Sequence, residues 1–324
     1  MPTNDQRNYY SDYDIAYKHD DSVESSRRWV DTWTQKHSRW NGKGWGSYHT
    51  YHAAARYDNS YEIRHYFTKN FYNSEDVNIN GYNRSFDSFD GGDGSDVLLM
   101  TDGDDMLTLD DAISSNSNPG EARVKNMSVI YANDGNDIIN FTSPKYTHDD
   151  IIIYSGNGND RVWSSIGNDT LFGQSGDDEI YGASGNDFIS GGIGNDTLVG
   201  GDGNDTFEGG DGNDVISGGS GDDLIEGGKG SDNLDGGEGN DTISYATSTS
   251  GVTVNIADNI ANGGDATGDT ISNFENITGS AFVDNLTGDE NNNIIEGGAG
   301  DDILTGGGGS DTYIWNIGDG NDTI

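Results

Sequence analysis

From Ser155 to Ser244 the chain is an unbroken run of ten nine-residue units, and no other property restricts its fold as tightly. Four units between residues 191 and 226, GGIGNDTLV, GGDGNDTFE, GGDGNDVIS and GGSGDDLIE, show the pattern most cleanly. Glycine fills the fourth position of every unit. Aspartate fills the sixth in all ten: Asp160, Asp169, Asp178, Asp187, Asp196, Asp205, Asp214, Asp223, Asp232 and Asp241. A bulky apolar residue fills the eighth, from Val162 and Leu171 through to Leu234 and Ile243. Each unit reads as a six-residue turn followed by a strand too short to stand alone. The apolar eighth residue faces inward and its neighbours face out, as strand alternation requires. Two units then close one coil of eighteen residues, which predicts an all-β parallel β-roll, a β-solenoid.

The spacing also predicts a ligand. Stacked coils lie about 4.8 Å apart, so each turn meets the one eighteen residues later. The aspartates sort into two ladders, Asp160, Asp178, Asp196, Asp214 and Asp232 on one side, and Asp169, Asp187, Asp205, Asp223 and Asp241 on the other. Glycines within the turns allow the close backbone approach that aims carbonyl oxygens at one point. Those at positions two and four of the regular units, Gly192, Gly194, Gly201, Gly203, Gly210, Gly212, Gly219 and Gly221, are candidate carbonyl ligands beside the carboxylates. An all-oxygen shell of this kind suits calcium. The chain has no cysteine, so thiolate ligands are excluded and a hard cation is favoured. Its formal charge of −41, from 57 acidic and 16 basic residues, argues against nucleic acid and asks for a counter-cation. Four gaps per ladder give room for up to eight calcium ions.

Organisation outside the block is less regular. Residues 1–85 form an aromatic-rich region, and residues 1–90 carry 11 of the 16 basic residues but only 13 of the 57 acidic ones. Asp21 and Glu24 resemble a capping box for a helix over about 22–40, with Trp29, Trp33 and Trp40 along one face. Such a region would cap the open end of the roll, or offer an aromatic platform to a carbohydrate or another surface ligand. Residues 86–154 read as a degenerate lead-in to the roll, and 245–296 as a degenerate solenoid segment in which Phe282 and Asn293 replace a turn glycine and a turn aspartate. A second repeat block, 297–324, restores the pattern with Asp302 and Asp311, and its last unit stops at Ile324 in mid-repeat, as in a fragment. Unit 164–172 lacks both leading glycines, so sites using Asp169 are expected to be weaker. No stretch has the length of a membrane span, and the N-terminus has no cleavable signal pattern.

The block resembles the haemolysin-type, or repeats-in-toxin, calcium-binding repeats that also accompany the catalytic domains of serralysin proteases, some lipases and alginate epimerases. The resemblance covers 155–244 and 297–322 strongly, 91–154 moderately and 1–85 not at all. It implies a right-handed parallel β-roll, export through type I secretion machinery, and folding outside the cell on meeting calcium. No catalytic signature is visible: there is no G-x-S-x-G, and His49 and His52 are not followed by H-E-x-x-H. The expectation is an extracellular, non-enzymatic surface or adhesin-like protein. The alternative is the repeat part of a secreted hydrolase or epimerase, and the starting methionine favours the first.

Overall fold

The computed structural model describes residues 147–324 without a break and, before them, 97–100, 102–109 and 127–143. Of the strands Tyr10–Lys18, Val30–Trp40, Trp45–Tyr57, Ser60–Tyr66, Phe89–Asp90 and Val124–Lys125 only the backbone is described. Two long parallel sheets make up the roll. One has eleven strands, from Val97–Leu99 to Thr312–Ile314, and the other eight, from Met106–Thr108 to Thr270–Ser272. Successive strands of the chain alternate between the sheets, so hydrogen-bonded neighbours are one coil apart: Leu198 pairs with Ile216 and Phe207 with Ile225. The chain is therefore an all-β parallel solenoid whose coil is two nine-residue units.

Position eight supplies the core. All ten of its side chains are at most 1% exposed, and they stack upon one another from coil to coil. Truncating a side chain held this way, Leu198 to alanine for instance, costs about 2–5 kcal/mol. Positions seven and nine are outside: Thr197 and Val199 are partly exposed on either side of buried Leu198.

The turns are shorter than the sequence suggests. Strands run six residues, as in Thr197–Asp202, and reach position three of the next unit, so that only positions four to six turn. The register explains this: Val199 pairs with Ser217, Gly200 is skipped, and Gly201 and Asp202 pair again with Gly219 and Ser220. Glycine at position one breaks the pleat without ending the strand.

Residues 246–269 interrupt the eighteen-residue spacing. Asn233 pairs with Thr270 and Thr242 with Asn276, and the extra chain forms an antiparallel pair, Thr253–Asn255 with Ile260–Asn262. Thr253–Asn255 also starts a new parallel ladder through Asn285–Thr287 and Ile303–Thr305. The segment 245–296 is thus solenoid with an insertion.

The helix expected over about 22–40 is corrected by the structure. Val30–Trp40 is a strand, paired antiparallel with Tyr10–Lys18 and Trp45–Tyr57. Its run of Val30, Thr32, Trp33, Thr34 and Trp40 is built from residues that favour pleated backbone. The proposed cap residues Asp21 and Glu24 lie outside the described residues, as do the side chains of His49 and His52.

Candidate metal centre

Each repeat aspartate stands at the end of its turn, immediately before the strand that buries the next-but-one side chain. That position draws the carboxylate into the wall of the roll, where all ten are at most 2% exposed. Strict eighteen-residue stacking then places each above the next. The backbone N–H of Asp160 donates to Oδ1 of Asp178, Asp178 to Asp196, and Asp196 to Asp214, each at 2.8 Å, and Asp214 to Asp232 at 2.9 Å. On the other side Asp169 donates to Asp187, Asp187 to Asp205, Asp205 to Asp223 and Asp223 to Asp241, at 2.7 to 2.8 Å. The two ladders are those set out by the spacing.

One oxygen of each carboxylate is therefore used in the backbone ladder, and the other is stranded. Oδ2 of every repeat aspartate except Asp169 is buried with no hydrogen-bond partner, as is Oδ2 of Asp137 and Asp302. A buried acceptor without a donor is destabilising by about 1–3 kcal/mol, more when charged. In six units this oxygen faces a small cradle: a β-carbon placed on Gly191, for instance, would overlap both Oδ2 of Asp196 and the carbonyl oxygen of Gly209. The sequence pattern placed glycine carbonyls of the turn at this point but singled out positions two and four, whereas the carbonyl beside the stranded oxygen belongs to position one. At positions two and four glycine serves closeness: Gly201 and Gly203 have φ of 123° and 135° and lie against the carbonyls of Ala183 and Gly185.

Without a cation the carboxylates resist ionisation. Burial raises Asp178, Asp187, Asp214 and Asp223 from the ordinary 3.8 to about 7; the ladder hydrogen bond acts the other way, and repulsion from the aspartates above and below adds to the rise. Asp196 and Asp241 rise to about 6, again chiefly through burial. Stranded carboxylate oxygens and converging carbonyls suit a hard divalent ion held between successive turns. Among the described residues no three His, Asp or Glu side chains come together, so such a shell draws on carbonyls as well as carboxylates.

The ladders extend further than the ten units. Asp105 and Asp137 precede Asp160 on the first, joined by N–H donations of 2.7 Å. Beyond the insertion Asp269 accepts from Asp232 at 2.9 Å, and Glu275 from Asp241 at 2.8 Å. Asp302 stacks on Asp284 and is followed by Asp322. Asp311 meets Asn293, which stands where the ladder elsewhere has an aspartate and whose carboxamide N–H donates to the Glu275 carbonyl and to Oδ1 of Asp289. Position five was also overlooked. Its Asn or Asp oxygens accept the N–H of the equivalent residue one coil later, as in Asn204 to Asn186 at 2.8 Å and Asp222 to Asn204 at 2.9 Å. This exposed ladder runs opposite in polarity to that of the aspartates and holds the turns in register from outside.

A parallel solenoid with paired carboxylates and glycine carbonyls at each turn is a calcium-binding β-roll in class. The chain matches the family described as the RTX calcium-binding nonapeptide repeat over residues 83–107, 128–142, 154–189, 181–216, 190–225, 208–243 and 278–313. These segments together span more than half of it, and the chain belongs to that family. No curated relative matched. Among the described residues no helix is long and apolar enough to cross a membrane.

Proposed function

We propose that calcium ions sit between successive turns of the roll, held by the stacked position-six aspartates and by glycine carbonyls, and that the roll folds around them. The stranded Oδ2 atoms carry this reading: a row of buried carboxylate oxygens without donors is a ligand set for a cation. The Asp196→Ala, Asp214→Ala double variant of the full chain should bind fewer calcium ions, with the loss confined to the Asp160-to-Asp232 ladder. Unchanged stoichiometry and affinity by calorimetry would defeat the ligand assignment.

Membership of the family supports a wider reading. Repeats of this kind fit a secreted protein, exported unfolded through type I machinery and folding where calcium is plentiful, and the aromatic-rich N-terminal region fits a cap or a contact for a surface carbohydrate. The protein then acts as a non-enzymatic surface or adhesin-like module. Full chain supplied with calcium should turn over none of a protein, an ester and a polyuronate substrate. Turnover abolished by changing His49 or His52 would assign it to the enzymes instead.

A further inference from the structure

In six consecutive units the first residue is glycine, and the space beside its Cα is bounded by the Oδ2 of its own unit's aspartate and by the carbonyl of the first glycine one coil on. These are Gly173, Gly182, Gly191, Gly200, Gly209 and Gly218. The two units before them begin with serine. The Ser164 hydroxyl donates to Oδ2 of Asp169, the one repeat aspartate whose second oxygen is not stranded. The Ser155 hydroxyl donates to the Gly173 carbonyl at 2.9 Å, the oxygen that would otherwise face its cradle.

Hydroxyl donors also reach such carboxylates at the far end, from position one at Tyr245 and from position two at Ser280, beside a retained Gly279. Tyr245, 2% exposed, donates from its hydroxyl to Oδ2 of Asp269 at 3.0 Å. Ser280 gives Oδ2 of Asp284 its backbone N–H, at 2.6 Å, and its hydroxyl lies 2.9 Å from Oδ1 and 3.1 Å from Oδ2 of the same carboxylate. In each case a neutral donor supplies the partner that the other aspartates lack. A hydroxyl proton and a cation compete for one lone pair and one small space, and the hydroxyl, being covalently attached, is always present.

We infer that hydroxyl side chains decide which turns take calcium: Ser164, Tyr245 and Ser280 close Asp169, Asp269 and Asp284 to the ion and leave the ions to the turns whose carboxylate has no such donor. This rests on the calcium reading above. It gives Asp169 and Asp269 a partner from within the chain at two places where a stacked neighbour is irregular. Ile151, which stands where an aspartate would be one coil before Asp169, and the insertion before Asp269 are such irregularities.

Calcium bound per full-length chain, counted by equilibrium dialysis and calorimetry, tests this. Ser164→Gly and Tyr245→Phe each remove a hydroxyl, and each is expected to add one ion to the number the parent binds. Gly191→Ser, at a position of ordinary backbone conformation, is expected to remove one. Circular dichroism in calcium confirms that each variant folds, and should Gly191→Ser fail to fold, the two gain variants still decide. A parent that binds calcium while Ser164→Gly and Tyr245→Phe bind the same number would overturn the inference. A parent that binds none would overturn the calcium reading itself.

Discussion

Stripping calcium from the full chain at pH 7.5 is expected to abolish most of its β-sheet circular dichroism, and returning calcium at millimolar concentration to restore it in one cooperative step. In the folded state nine of the ten repeat aspartates carry a buried oxygen without a partner, and like charges stand directly above one another along both ladders. Against this each unit buries a single apolar side chain, from Val162 to Ile243, while ordering nine residues rich in glycine, the residue that loses most freedom. An ion bound only by the folded roll removes the repulsion and supplies the missing partner. With free calcium a hundredfold above its Kd, each such ion adds about 2.7 kcal/mol to stability. Since a coil contacts only its neighbours, loss of ions from one level exposes the next and the roll should come apart as a block. Magnesium should restore little, because it demands a tight octahedral shell and keeps its water. An undiminished β signal in chelator would show that the roll does not need the ion to fold.

The sequence displayed its period plainly because three positions of nine admit little variation: a buried apolar side chain, a turn carboxylate and a glycine with positive φ each tolerate few substitutes. From these came the coil, its two ladders and the inward face. The rest was hidden for separate reasons. Glycine at positions one and two looks like turn, yet Gly201 lies within a strand because the small residues at the same position of both parallel neighbours, Ala183 and Gly219, pair with it. Asp269 and Glu275 were invisible to a search at fixed spacing, since the insertion sets them 37 and 34 residues from their ladder neighbours Asp232 and Asp241. Only the local signal of an acid two residues before a buried isoleucine, Ile271 or Ile277, could have found them. Ser164 and Tyr245 were missed because their effect depends on which oxygen they reach. The N-terminal helix was a false reading of tryptophan spacing: Trp29, Trp33 and Trp40 fit a helical face, but Val30–Trp40 follows its β-forming content instead.

Protons should replace calcium in part, which gives the metal-free chain an unusual dependence on pH. For Asp178, Asp187, Asp214 and Asp223 the folded roll holds the proton up to about pH 7, chiefly because the carboxyls are buried, whereas the unfolded chain releases it near 3.8. Between these values the folded state binds more protons than the unfolded one, so its stability falls as pH rises. The contribution is complete below about pH 4 and gone above about pH 7, the reverse of what a salt-bridged carboxylate does. The geometry supports the exchange: a protonated Oδ2 becomes a donor, and the position-one carbonyl beside it, Gly209 opposite Asp196, is an acceptor. Calcium-free protein taken from pH 8 to pH 4.5 should therefore gain β signal with a midpoint near 6 to 7, and calcium affinity should weaken across the same range as protons compete for the ligands. General relief of charge repulsion would also favour compaction, but with a midpoint near 4, where exposed carboxylates titrate. A midpoint there, or no gain at all, would mean that the ladder aspartates are not buried in the metal-free fold. A midpoint near neutrality that drops in a variant with Asp187, Asp205 and Asp223 changed to asparagine would assign the transition to the ladders.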